Sequence, residues 1–231
     1  MSRATVLDST DEAVAGIEDG STVLVGGFGL AGMPFDLIEA LIRQGAKDLT
    51  IVSNNAGNGD VGLAALLAAG RVRKVVCSFP RQVDSYVFDA LYREGKVALE
   101  VVPQGTLAER MRAAGAGIGA FYCPTAVGTA LAEGKEVRTI DGRDYLLEYP
   151  IKGDYALISA HRSDPMGNLV YRKTARNFGP VMATAAATTV VQVDELVPLG
   201  GLDPEAVVTP SIYVDRVVPV ETRHYTVQGA R

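Results

Sequence analysis

The chain is poor in the residues that build disulfides, metal centres and nucleic-acid surfaces. It has two cysteines, Cys77 and Cys123, and two histidines, His161 and His224. Two cysteines outside any Cys-x-x-Cys pair cannot make a disulfide framework, and these separations match no metal-ligand spacing. A reducing cytoplasm is the compartment this predicts. Cys77, inside the apolar run Val75-Val76-Cys77-Ser78-Phe79, reads as a buried core thiol, and both histidines read as structural. Basic residues number 22 against 27 acidic, a formal net charge of -5, which excludes a phosphate-binding surface for nucleic acid. The one local basic cluster is Arg172, Lys173 and Arg176. It suits a single phosphate or dicarboxylate, or equally a salt bridge at the surface or between subunits. No uncharged apolar run approaches the ~18 residues of a membrane helix, and Met1 to Asp8 lacks the apolar stretch of a signal peptide.

What is present is a large apolar fraction, 48% of 231 residues, enough to bury one core, and residues 1–231 read as a single domain. Ser9 and Glu12 form a capping box for a helix through Ile17. Strands are predicted at Thr22 to Val25, Leu49 to Ser53, Val72 to Ser78 and Val97 to Val102. Helices alternate with them: one behind Pro34 through Leu37, Ile38, Leu41 and Ile42, one through Leu63, Leu66 and Leu67, and one around Val83 to Tyr92. Thr106 and Glu109 read as a second capping box, opening a helix to about Ala114. This alternation predicts an α/β fold with an open, mainly parallel sheet covered on both faces. The second half reads as more antiparallel. Asp141-Gly142 predicts a hairpin between Val137–Ile140 and Tyr145–Glu148. Further strands are expected at Tyr155 to Ala160, Leu169 to Tyr171, Thr188 to Val193 and Ile212 to Val214. The last dozen residues are polar and are expected to be loose. Three loops leave the carboxyl ends of predicted parallel strands, Gly26 to Met33, Asn54 to Gly59 and Pro103 to Thr106. An open sheet should bring them to one crevice.

Gly27-Phe28-Gly29-Leu30-Ala31-Gly32 matches G-x-G-x-x-G, and its literal reading is a dinucleotide turn. Two details count against that. The helix begins near Pro34, beyond the third glycine, and the next strand ends in Ser53-Asn54-Asn55 with no acid for a ribose hydroxyl. Glycines chosen only for turn geometry are the plain alternative.

The longer string Asp19 to Pro34 resembles the first signature of the family I CoA-transferases: an Asp-Gly pair, three apolar residues, Gly-Gly-Phe, three variable residues, then Gly-x-Pro. The resemblance extends to Val52-Ser-Asn-Asn-Ala-Gly57, to Val102-Pro-Gln-Gly-Thr-Leu-Ala-Glu-Arg110 and to Arg172-Lys-Thr-Ala-Arg-Asn-Phe178. Gly115-Ala-Gly-Ile118 and Gly153-Asp154 agree as well. All of these are similar to A subunits of the succinyl-CoA:3-ketoacid group. Gly119 and Gly179 depart from it, standing where proline and asparagine are usual.

The resemblance implies transfer of CoA from an acyl-CoA to a carboxylic acid through a covalent glutamyl-CoA thioester. The family carries that glutamate in a Ser-Glu-Asn-Gly run on the B half, a run this chain lacks. A separate B subunit is therefore implied as partner, in an A2B2 hetero-oligomer. Succinyl-CoA would be the donor, acetoacetate or 3-oxoadipate the acceptor, and CoA a substrate, with no cofactor and no metal. The resemblance places Gln104 and Asn54 among the catalytic residues, as oxyanion or acyl-positioning donors. It places Gly27, Phe28, Gly29 and Asn55 against the substrate, with Phe28 as an apolar wall. Without the resemblance, Asn54 and Asn55 read as turn caps. A different class remains open, a non-catalytic sugar-phosphate or nucleotide-binding module on a related open sheet, expected to carry an attached output domain.

Overall fold

The computed structural model describes residues 4–82 and 84–221. The first half follows the predicted alternation. Strand β1 (Thr5–Val6) leads to helix α1 (Thr10–Val14), whose N-cap Ser9 accepts the Glu12 amide at 3.2 Å. Then come β2 (Thr22–Val25), α2 (Phe35–Gln44), β3 (Leu49–Asn55), α3 (Leu63–Ala68), β4 (Val72–Phe79), α4 (Tyr86–Arg93), β5 (Ala98–Val101) and α5 (Gln104–Gly115). The second half contains β6 (Phe121–Cys123), β7 (Val137–Ile140), β8 (Arg143–Glu148), β9 (Gly153–Ser163), β10 (Leu169–Val170), α6 (Gly179–Ala185), β11 (Ala186–Leu196) and β12 (Arg216–Pro219).

The main sheet runs β1-β12-β11-β9-β2-β3-β4-β5, parallel at every one of these pairings, with β10 antiparallel on β9. Strand alternation divides its side chains between two cores. Val23, Val25, Ile51, Val75, Leu157 and Val190 face α1 to α4. Leu24, Val52, Val76, Ala156, Ile158 and Val191 face α5 and α6. Leu37, Ile38 and Leu41 of α2 are fully buried, each a contribution of about 1.5–3 kcal/mol. The chain order reverses between β9 and β2, with β3 to β5 laid down on one side and β11 and β12 on the other. Such a reversal is where open α/β sheets gather ligands.

Several expectations need correcting. The second half is largely parallel, because α6 carries the chain from β9 back to a parallel β11. Among the described residues, antiparallel pairing of strands is confined to β10 on β9 and to the small sheet β6-β8-β7. The Asp141-Gly142 hairpin is there, with φ of 51° and 76° at its two turn residues, as a type I′ turn requires. Residues 212–214 are no strand. Pro210 starts a 3-10 turn at Ser211–Tyr213, and the strand follows at β12. The predicted Thr106–Glu109 capping box is absent, because α5 starts three residues earlier, with Pro103 at the N-cap. Thr106 is buried inside the helix, and Glu109 instead pairs with Arg112 at 2.7 Å. Helix α4 starts at Tyr86, and the predicted start, Val83, lies outside the described residues, as do His224 and the residues after 221.

The small sheet is tied down by charge. Buried Glu148 of β8 meets Lys135 at 2.5 Å and Arg110 of α5 at 3.9 Å, and Arg110 also holds Glu100 of β5 at 3.0 Å. Burial pushes the Glu100 carboxyl up. Hydrogen bonds and charge from Lys74 and Arg110 outweigh that and hold it below the usual carboxylate range.

Candidate active site

At the carboxyl edge of the sheet the loop after β2 closes as a tight turn. The Phe28 amide donates to Ala31 O at 3.0 Å, and the Ala31 amide donates back to Phe28 O at 3.2 Å. Gly29 sits at the turn with φ of 60°. Gly32 is demanded by a close approach: a Cβ there would lie 2.4 Å from the Ala175 carbonyl. Asn177 staples the two segments together. Its Oδ1 accepts from the Gly27 amide at 3.1 Å, and its Nδ2 donates to the Ala31 carbonyl at 2.9 Å. Sequence reasoning quoted Asn177 inside a motif and gave it no role. The signal was weak, because its partners lie about 150 residues away.

Phe28, Gln104, Gly105, Ala108, Asn177, Phe178 and Val181 line an open cleft of about 340 Å³. Phe28 comes from the loop after β2, Gln104, Gly105 and Ala108 from α5, Asn177 and Phe178 from the residues just before α6, and Val181 from α6. Phe28 is 51% exposed, costly for an aromatic ring unless something covers it. Gln104 is exposed, and its Nε2 donates to Asn54 Oδ1 at 2.8 Å. Asn54, at the end of β3, is only 1% exposed and stands behind Gln104.

The N-terminus of α5 carries no side-chain cap, since Pro103 supplies none. The Gly105 amide has no hydrogen-bond partner among the described residues. A helix start with free amides is electropositive and suits an anion. The glycine motif ends differently. At the start of α2, the Leu37 amide donates to buried Gln192 Oε1 at 3.2 Å, so protein fills the place a pyrophosphate would take.

The predicted residues therefore separate. Gln104, Phe28 and, one layer back, Asn54 come together. Gly27 and Gly29 shape the turn that carries Phe28. Asn55 does not join them: it points to the opposite face of the sheet, toward α3, where its Oδ1 accepts the Gly57 amide at 2.9 Å. Consecutive strand residues face opposite ways, so the Asn54 and Asn55 side chains leave β3 on opposite faces. Arg172, Lys173 and Arg176 stay exposed on the 3-10 turn Lys173–Arg176, immediately before the cleft residue Asn177. His161, which has no acidic residue near it in sequence, gains one in space, with Nδ1 2.9 Å from Asp194 Oδ2 on β11. Cys77 is fully buried, and burial pushes its thiol up to about 12, which keeps it from serving as a nucleophile. Among the described residues, no group of three or more His, Cys, Asp or Glu could hold a metal, and no helix is long and apolar enough to cross a membrane.

An open parallel sheet with a largely apolar cleft at its carboxyl edge, carrying Gln104 and Asn177 as polar groups and assembled from these motifs, defines the class. The chain belongs to the coenzyme A transferase family, whose model matches residues 7–219. Within it, the chain is 68% identical over 213 residues to the A subunit of the 3-oxoadipate CoA-transferase of Pseudomonas putida, covering 92% of each. It is 48% identical over 212 residues to the A subunit of the succinyl-CoA:3-ketoacid coenzyme A transferase of Helicobacter pylori, covering 92% of this chain and 90% of that one. Among solved structures, an acyl-CoA transferase of Escherichia coli O157:H7 superposes with a TM-score of 0.83 at 26% identity. The match covers 94% of this chain and 47% of that one, so this chain spans about half of it.

Proposed function

We propose that this chain is the A subunit of a 3-oxoacid CoA-transferase that moves CoA from succinyl-CoA to a 3-oxo acid, with 3-oxoadipate the first acceptor to test and acetoacetate the second. The observation that carries this is the exposed Gln104 amide, anchored on Asn54 at the open N-terminus of α5. In the proposed reaction a glutamate carboxylate on a separate B subunit attacks the thioester carbonyl. CoA thiolate leaves, giving a mixed anhydride; the thiolate then attacks the glutamyl carbonyl and releases succinate. The acceptor carboxylate runs the same steps in reverse. Each attack passes through a tetrahedral oxyanion. The second N–H of Gln104 Nε2 and the free Gly105 amide are this chain's donors to it, and Phe28 is the apolar wall beside the acyl group. Asn54 acts by holding Gln104. Asn55 supports the turn at Gly57.

No atom changes oxidation state in this exchange, so it calls for no nicotinamide or flavin, and the glutamate and the donors named above carry each step without a metal. The occupied start of α2 supports the same view against a dinucleotide. We place the enzyme in the cytoplasm, where two free thiols are stable, as an A2B2 assembly. The test is reconstitution. The chain alone should show no CoA transfer, and mixing it with its B subunit should produce transfer from succinyl-CoA to 3-oxoadipate or acetoacetate. Equal turnover with and without the partner would overturn the division of labour.

A further inference from the structure

We propose that Ser78 is a positioning residue for Gln104, acting through Asn54; the proposal rests on the functional reading above. The β3–β4 register pairs Ser53 with Cys77, which sets Asn54 and Ser78 side by side on the face toward α5. Ser78 Oγ lies 2.9 Å from Asn54 Oδ1 and 3.1 Å from the Asn54 carbonyl. Gln104 Nε2 donates to the same Oδ1 at 2.8 Å. An amide oxygen has two lone pairs, and here two donors converge on it. Turning the Asn54 carboxamide over would bring its NH2 against the NH2 of Gln104 and lose that bond, although Ser78 Oγ could then accept from the turned NH2 and give its own proton to the Asn54 carbonyl. Ser78 thus tethers the Asn54 carboxamide beside Gln104, and with Oδ1 turned inward both Ser78 and Gln104 donate to it.

That matters because a free glutamine side chain is among the most mobile. Ordering it costs more than ordering most side chains, and an oxyanion donor is effective only if it is in place before the charge forms. With Asn54 locked, Gln104 commits one N–H to the anchor and keeps the other N–H and its Oε1 for the cleft. Ser78 itself touches no reacting atom and exchanges no proton.

The experiment uses the chain assembled with its B subunit. Steady-state kcat and KM are measured for wild type, Ser78→Ala, Ser78→Thr, Gln104→Ala and the double variant Ser78→Ala with Gln104→Ala. Ser78→Ala should lower kcat roughly tenfold, the weight of one neutral hydrogen bond, with little change in either KM. Ser78→Thr, which keeps the hydroxyl on a strand that tolerates β-branching, should recover most of it. In the Gln104→Ala background, removing Ser78 should cost nothing further, because the effect passes through Gln104. Additive losses, equal losses in the alanine and threonine variants, or an unchanged kcat in Ser78→Ala would each overturn the relay while the functional reading stands. A wild-type complex without CoA transfer would overturn that reading and the relay with it.

Discussion

Helices α2 and α5 both begin at the carboxyl edge of the sheet, each directly behind a proline, Pro34 and Pro103, yet one start is closed and the other open. At α2 a buried glutamine from a distant strand, Gln192, takes the Leu37 amide and donates its own Nε2 to Asp36 at 3.1 Å. At α5 no side chain among the described residues takes that place or pairs with the Gly105 amide, and Gln104 faces the cleft. The helix behind the familiar glycine motif is the structural one. In the function proposed above, the helix behind the plain Pro-Gln-Gly carries the site. The start of α5 is exposed, so water can satisfy its amides and they stay available to a ligand or partner.

Removing the exposed donor should break the comparison most sharply. Gln104→Ala is expected to leave assembly with the B subunit intact and to lower turnover roughly ten- to a thousandfold, the range for losing one pre-placed oxyanion donor. Sedimentation of the complex and initial rates check the two halves of that statement, and normal turnover would return Gln104 to a structural role. Gly105→Ala is the next largest. A Cβ at Gly105 meets nothing within 4 Å, and its φ lies outside the left-handed region, so neither packing nor backbone requires glycine. Alanine should raise the thermal midpoint of the chain slightly, since it favours the helix by up to about 1 kcal/mol. The methyl would project into the cleft and should lower kcat/KM about tenfold, the effect of ~1.4 kcal/mol of steric misfit. A more stable enzyme of undiminished kcat/KM would show that nothing approaches this turn.

Much of this was legible without coordinates. Continuous apolar runs placed β2 to β5, helical spacing and capping signals placed α1 to α5, the two-residue β1 was missed, and the family resemblance singled out Gln104 and Asn54. What failed did so where distant partners decide. The parallel direction of β11 depends on where α6 docks, which no local pattern in residues 179–196 records. The start of α5 was misread because Thr106 and Glu109 mimic a capping box, while the residue that sets the boundary is Pro103. Asn54 and Asn55 were grouped because they are adjacent. Their separation follows from strand alternation alone, and extending β3 by two residues past Ser53 was the missing step. Ser78 and Asn177 could not be found from their own neighbourhoods, since each works on a carboxamide or loop brought to it by the fold.

The closed helix start supplies the control. Gln192 is 6% exposed and sits on the face toward α2, away from the α5 cleft. Gln192→Ala takes the acceptor from the Leu37 amide and a donor from Asp36, and the gap it leaves is buried. Losing the partner of a buried amide costs about 1–3 kcal/mol. Denaturant unfolding of the isolated chain should therefore show a lower midpoint with an unchanged slope. Turnover per assembled complex, measured well below the unfolding transition, should stay within about twofold of wild type, because a ΔΔG of this size still leaves the chain mostly folded. Together with Gln104→Ala, this gives opposite signatures at two similar helix starts: stability without activity at α2, activity without stability at α5. If Gln192→Ala instead lost turnover as deeply as Gln104→Ala while its unfolding midpoint held, the start of α2 would be part of the working site. The distinction between a closed and an open helix would then fail at its closed end.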